Sequence, residues 1–317
     1  MLVRNLVLKT AALGPVERIV RRSRFFRPLV SRFIAGDTLE EALAASQALL
    51  DKGLMVTLDY LGENTHSEKE ALEAKATYLQ MLDRVGEVWA ADLKAHPGYE
   101  GKERINISIK LTQCGLDQGE AFAEANYREV VEHAAEKDTF VRIDMEASEY
   151  TQRTMEIVGK VFADLPNTGT VLQSYLYRTD QDVEKVIEWG ARVRLVKGAY
   201  LEPESVAFPN KLDVDEAFVK QGKRLLEAGC YPALATHDED AINAFNAFAK
   251  KENIDKSRFE YQMLYGIRRD LQESLRDQGY NVRVYVPFGD AWYPYFTRRL
   301  AERPANAFFI LKSLFKG

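Results

Sequence analysis

The chain has 317 residues, 46% of them hydrophobic, enough for a sizeable core and the usual length of an α/β barrel with a short extension. A net charge of −5, with no zinc-finger or RNA-binding signature, removes nucleic acid from the expected partners. Two distant cysteines, Cys114 and Cys230, form no CxxC pair, which excludes a disulfide framework and a zinc site and points to a reducing compartment.

Residues 1 to 32 carry eight Lys/Arg and a single acid, Glu17. Such a basic amphipathic start docks on an anionic membrane surface, serves as a transit peptide or packs as a helix on the domain, and charge alone leaves the three open. No apolar run approaches the ~20 residues of a membrane span. Asp37 or Thr38 caps a helix through about Leu50, ended by Gly53. The simplest partition is a helical basic arm over 1–52 and a catalytic domain over 53–317.

From there strands alternate with helices. The expected strands are Leu54 to Tyr60, Ile105 to Leu111, Phe140 to Met145, Thr170 to Tyr177, Val193 to Val196, Pro232 to Thr236, Phe259 to Leu264 and Val282 to Val286. A helical stretch follows each, the longest from about Ser67 to Lys94. Eight such units in about 265 residues predict a closed (βα)8 barrel. Within the strands Ile105, Ile107 and Ile109 alternate with Asn106, Ser108 and Lys110; Val141 and Ile143 with Arg142 and Asp144; Val282 and Val284 with Arg283 and Tyr285. The pattern puts apolar side chains outward and polar ones inward. Either the upper barrel is wet or ligand-filled, or buried polar groups satisfy one another.

Chemistry in a barrel sits where strands run into the following loops. Those ends supply Asp59 and Glu63, Lys110, Asp144, Gln173, Arg194 and Lys197, Thr236 and His237, Glu260 and Gln262, and Tyr285. There is no GxGxxG, P-loop, HExxH or GxSxG, so neither a Rossmann-held nucleotide nor a metal is supported. Asp144 has Arg142 nearby as a structural ion-pair partner, and His237 also reads as a satisfied core histidine. Lys197 binds phosphate or a carboxylate as a point charge, or forms a Schiff base if desolvated. Glu63 is a candidate partner for Arg194 when the site closes.

After the last strand, a turn at Pro287 and Gly289 leads into a helix from Asp290, its N-cap, to Glu302. One face carries Tyr295, Arg298, Arg299 and Glu302, beside an apolar stripe of Trp292, Phe296 and Leu300. This face is either a solvated surface with an Arg298–Glu302 pair or an anion clamp, since arginine forks match carboxylates.

Eight stretches together resemble the proline dehydrogenase family: SIKLTQCG (Ser108 to Gly115), RIDME (Arg142 to Glu146), VLQSYL (Val171 to Leu176), RLVKGAY (Arg194 to Tyr200), ATHD (Ala235 to Asp238), FEYQMLYG (Phe259 to Gly266), YVPFG (Tyr285 to Gly289) and YFTRRLAERPAN (Tyr295 to Asn306). The resemblance implies a distorted (βα)8 barrel that oxidises L-proline to Δ1-pyrroline-5-carboxylate, with FAD accepting hydride and a membrane quinone reoxidising it. It implies that Lys110, Arg298 and Arg299 bind the proline carboxylate and that Tyr285 and Tyr295 pack around its ring. Asp144, Arg194 and Tyr285 would be the catalytic group, with Asp144 supporting Lys110 and the arginines. Met145, Gln173, Arg194, Val196, Lys197, Gly198, Ala199, Thr236 and His237 fall on FAD-contacting positions. Leu201 stands where the long bifunctional members carry Trp, and the end at Gly317 leaves no room for an aldehyde dehydrogenase domain. The type expected is therefore monofunctional and bacterial, in the cytoplasm with peripheral contact on the inner face of the membrane, its product passing to a separate pyrroline-5-carboxylate dehydrogenase.

Overall fold

The structure, a computed structural model, describes residues 17, 18, 20, 21 and 26–302. Eight parallel strands pair in chain order and β8 returns to β1, closing the barrel. They are β1 (Met55–Tyr60), β2 (Ile105–Ile109), β3 (Val141–Ile143), β4 (Thr168–Gln173), β5 (Arg192–Val196), β6 (Ala233–Ala235), β7 (Glu260–Leu264) and β8 (Asn281–Phe288). Two helices precede the barrel, α1 (Arg27–Val30) and α2 (Leu39–Leu50). One then follows each strand: α3 (Glu68–Ala95), α4 (Glu120–Glu136), α5 (Ser148–Asp164), α6 (Thr179–Trp189), α7 (Lys211–Ala228), α8 (Glu239–Lys251), α9 (Arg269–Asp277) and α10 (Trp292–Glu302).

All eight expected strands form, and their ends differ in two informative places. β4 stops at Gln173, and Leu176 turns away into an antiparallel bridge with Ala207. β8 continues through Pro287 to Phe288, pairing opposite Asp59 and Tyr60, because proline's fixed φ suits extended backbone and its carbonyl still accepts from Ala35 N at 2.9 Å. The turn therefore falls at Gly289 (φ +112°), and α10 starts at Trp292 instead of Asp290.

Thr38, not Asp37, caps α2 in a capping box: Glu41 N donates to Thr38 Oγ1 at 3.3 Å, and Thr38 N donates to Glu41 Oε2 at 3.1 Å. α2 packs against β1 and β8, burying Ala42, Leu43 and Leu50 beside Val56, Leu58 and Val284. It thus fills the place in the outer ring that the last helix of a regular barrel would take. α10 lies instead over the strand ends, where Trp292, Tyr295 and Phe296 pack on Phe33, Ile34, Leu61 and Ile267. That displacement aims a helix face into the barrel mouth.

Of the basic arm, the described part packs on the barrel. Val20 is buried, and Arg21 donates to Asp290 O at 2.7 Å with its guanidinium 5.0 Å from the Trp292 ring. The rest of residues 1 to 25 lies outside the described residues, as do 303–317 and the side chains of Leu300 and Glu302.

Inside the barrel, both readings of the inward polar positions hold, one above the other. In the lower half Arg283 donates to Glu260 at 2.9 and 3.1 Å, and Glu103 accepts from Arg192 at 3.0 and 2.9 Å and from Asn106 at 2.8 Å. These charges pair with one another, and the buried Arg192 Nε alone among these groups lacks a hydrogen-bond partner. The upper half opens into a cavity.

Candidate active site

A cavity of about 910 Å³ lies at the carboxyl ends of the strands, beneath α10. The binding and catalytic residues implied by the resemblance all line it, whereas Glu260, also named at a strand end, lies below it, paired with Arg283. Strand parity accounts for the inward residues of the strands, because positions two apart on each strand share one face.

Arg194 and Asp144 form the centre. Arg194 Nη1 donates to Asp144 Oδ1 at 2.6 Å, Nη2 donates to Ser108 Oγ at 3.0 Å, and Nε donates to Gln262 Oε1. Tyr285 gives its hydroxyl proton to the other carboxylate oxygen, Asp144 Oδ2, at 2.6 Å, while its ring lies 5.0 Å from the Arg194 guanidinium. Burial, reinforced by Asp144, holds the Tyr285 hydroxyl well above its usual pKa, so it stays a neutral donor. Arg142 does not pair with Asp144; it donates to Thr170 O (3.2 Å) and Arg192 O (3.0 Å). Glu63, expected beside Arg194 on closure, pairs here with Arg298.

Lys110 Nζ donates to Asp59 Oδ1 at 2.8 Å, with both side chains buried. Burial works against the ammonium, but Asp59, then Asp144 and Glu63, outweigh it and raise its pKa. Lys110 therefore presents a fixed positive charge. Its direct partner is Asp59, a residue the sequence placed at a strand end without a role. The legible signal was opposite charge at the inward ends of neighbouring strands, since Asp59 sits opposite Ser108 and Lys110 follows two residues on.

From α10, Arg298 Nη2 reaches Glu63 Oε1 at 2.8 Å, and its guanidinium lies 5.9 Å from the Tyr200 ring. Arg299 lies 5.1 Å from the ring of the buried Tyr295. Arg298 is thus held across the mouth by Glu63, and the expected Arg298–Glu302 pair involves a side chain outside the described residues. Tyr200 and Gln262 are the further residues that sequence reasoning left without a role.

On the opposite wall, Gln173 Nε2 donates to Met145 O and Glu146 O, both at 3.3 Å. His237 Nε2 accepts from Leu264 N at 3.0 Å, which places the ring proton on Nδ1. Thr236 Oγ1 accepts from Asp238 N at 3.0 Å. Val196, Gly198 and Ala199 form the adjoining edge, where Gly198 has φ +118° and a Cβ would lie 2.4 Å from the Tyr175 ring. Lys197 is held by two carboxylates, Asp215 and Asp238, each at 2.6 Å, and its pKa is raised. Those carboxylates keep it charged, which removes the support for a Schiff base there or, by the same reasoning, at Lys110.

Paired buried charges, two arginines on α10 and this edge share one cavity. The model of the proline dehydrogenase family matches residues 42–312. The chain belongs to the proline dehydrogenase family. It is 40% identical over 285 residues to proline dehydrogenase 1 of Bacillus subtilis, covering 90% of each chain. To the proline dehydrogenase of Deinococcus radiodurans it is 39% identical over 323 residues, covering 100% of this chain and 99% of that one. Among solved structures, proline utilization A (PutA) from Bdellovibrio bacteriovorus inactivated by N-propargylglycine superposes with a TM-score of 0.79 at 27% identity, over 95% of this chain and 36% of that one. Proline dehydrogenation is the activity that the family and these relatives support.

Proposed function

We propose that this proline dehydrogenase barrel oxidises L-proline to Δ1-pyrroline-5-carboxylate using bound FAD, and that the electrons pass on to a membrane quinone. The observation that carries the reading is a single cavity that brings Arg298, Arg299 and Lys110 together with Gln173, Arg194 and His237. Its volume of about 910 Å³ is that of a cofactor-sized site. The residues fit a flavin: Gln173 Oε1 is buried without a hydrogen-bond partner, and Gln173, Met145, Arg194, Val196 to Ala199, Thr236 and His237 would hold the cofactor. FAD, when bound, supplies the hydride acceptor.

The chain's own part is positioning and electrostatics. Arg298, Arg299 and Lys110 bind the proline carboxylate, the two arginines as planar forks and the lysine as a point charge. Tyr285 and Tyr295 wall the ring, so that the C5 hydride and the nitrogen proton leave from a fixed orientation. Asp144 holds Arg194 and the Tyr285 hydroxyl in place through its two oxygens, and Arg194 supplies positive charge where negative charge develops.

The product would pass to a separate pyrroline-5-carboxylate dehydrogenase. Among the described residues no helix is long and apolar enough to cross a membrane, so contact with a quinone pool would be peripheral, on the inner face of the cytoplasmic membrane, with the basic charge of residues 1 to 32 favouring an anionic surface. The test is an anaerobic proline titration of the yellow protein: the flavin absorbance bleaches. A colourless protein that FAD cannot reconstitute overturns the reading.

A further inference from the structure

Beneath the site, β7 turns two inward residues into a relay. Glu260 and Gln262 are two positions apart on the same face, and both are buried. Gln262 Nε2 donates to Glu260 Oε1, and Gln262 Oε1 accepts from Arg194 Nε. The direction of that amide is dictated from both ends. A carboxylate only accepts and a guanidinium only donates, so the NH2 must face down and the oxygen up. Glu260 is kept ionised: burial opposes the charge, but Arg283 at 2.9 Å outweighs it and lowers the pKa to about 2. Arg194 thus meets a neutral oxygen on its Nε side, and among the described residues Asp144 is the carboxylate to which it is bonded.

We propose that Gln262 is a positioning residue that orients Arg194 and keeps a neutral oxygen beside its positive charge, with Glu260 fixing the direction of the amide. The proposal rests on the reading of this cavity as the flavin and proline site. Its consequence is that residue 262, which lines the cavity wall, controls how much positive charge Arg194 offers to the hydride acceptor.

The experiment compares the FAD-loaded wild type with Gln262→Glu and Gln262→Met. The flavin reduction potential is measured chemically without proline, and proline kinetics are measured separately. A carboxylate at 262 compensates Arg194, so Gln262→Glu shifts the potential to more negative values than either the wild type or Gln262→Met. Gln262→Met, which frees Arg194 without adding charge, lowers kcat about tenfold while the KM for proline stays within about twofold. Equal potentials in Gln262→Glu and Gln262→Met overturn the electrostatic part of the proposal, since a merely structural role would move both alike. Where Gln262→Glu does not fold, the kinetic split in Gln262→Met decides: an unchanged kcat overturns the proposal. A wild-type flavin that proline cannot bleach would sink the functional reading instead, and the potentials remain measurable without it.

Discussion

Arg298 on α10 and Glu63 on the loop after β1 meet at 2.8 Å, with a second contact at 3.5 Å, each about a quarter exposed. The pair ties the last described helix to the first barrel strand and uses the terminal nitrogens of Arg298. It fixes the guanidinium at the mouth, where a carboxylate entering the cavity would meet it. Burial opposes the charge on Arg298, but Glu63 outweighs it and raises its pKa, so the fork stays charged.

Arg298→Met and Arg299→Met are each expected to raise the KM for proline by about tenfold or more, in line with the ~1.5–3 kcal/mol of a hydrogen bond to a charged group. The change in Tm should be small by comparison. Glu63→Gln should have a lesser effect in the same direction, because Glu63 acts through Arg298. Steady-state kinetics and thermal unfolding on the same preparations check this, and an unchanged KM in both arginine variants would overturn the clamp.

Glu146 carries a pH dependence. Burial raises its pKa from 4.5 to about 7, against hydrogen bonds from Thr112 Oγ1 (2.6 Å) and Thr112 N (3.2 Å). The folded state therefore binds this proton more tightly than the unfolded chain, and the stabilisation it brings is lost as pH rises from about 4.5 through about 7. Glu146→Gln should lack that decline. Tm measured from pH 5 to 8 should fall less for the variant than for the wild type; parallel curves would contradict the assignment.

Glu260 runs the opposite way. With its pKa lowered from 4.5 to about 2, its contribution is complete above 4.5 and disappears as pH falls through about 2. Arg283→Met leaves that carboxylate buried without its ion-pair partner and should cost about 3–5 kcal/mol. Denaturant unfolding at neutral pH measures the loss. A cost below about 1 kcal/mol would mean that Arg192 and Gln262 suffice to hold Glu260.

Much of the fold was legible because its signals are local. Period-two alternation in Ile105 to Lys110 and Val282 to Tyr285 marked strands and their inward faces, and the amphipathic stretches between them marked helices. The gathering of Lys110, Asp144, Arg194 and Tyr285 followed from strand parity and from the rule that barrel chemistry sits at strand ends. The eight motifs sharpened this to a family. The boundary errors at Gln173 and Pro287 lay where the end of a strand depends on a distant partner, Ala207 bridging Leu176 in one case and Asp59 opposite Pro287 in the other.

The sequence by itself determined a (βα)8 barrel, the set of polar side chains at its mouth and the family those residues mark, since each depends on order and spacing along the chain. The tertiary structure alone decided which charge meets which. It gave Asp59 to Lys110, Asp215 and Asp238 to Lys197, and Glu63 to Arg298 instead of Arg194. It also put α2 in the ring and α10 over the mouth. Ion pairing falls off over a few ångströms, and those distances are set by strand register and helix packing, quantities that spacing along the chain does not encode.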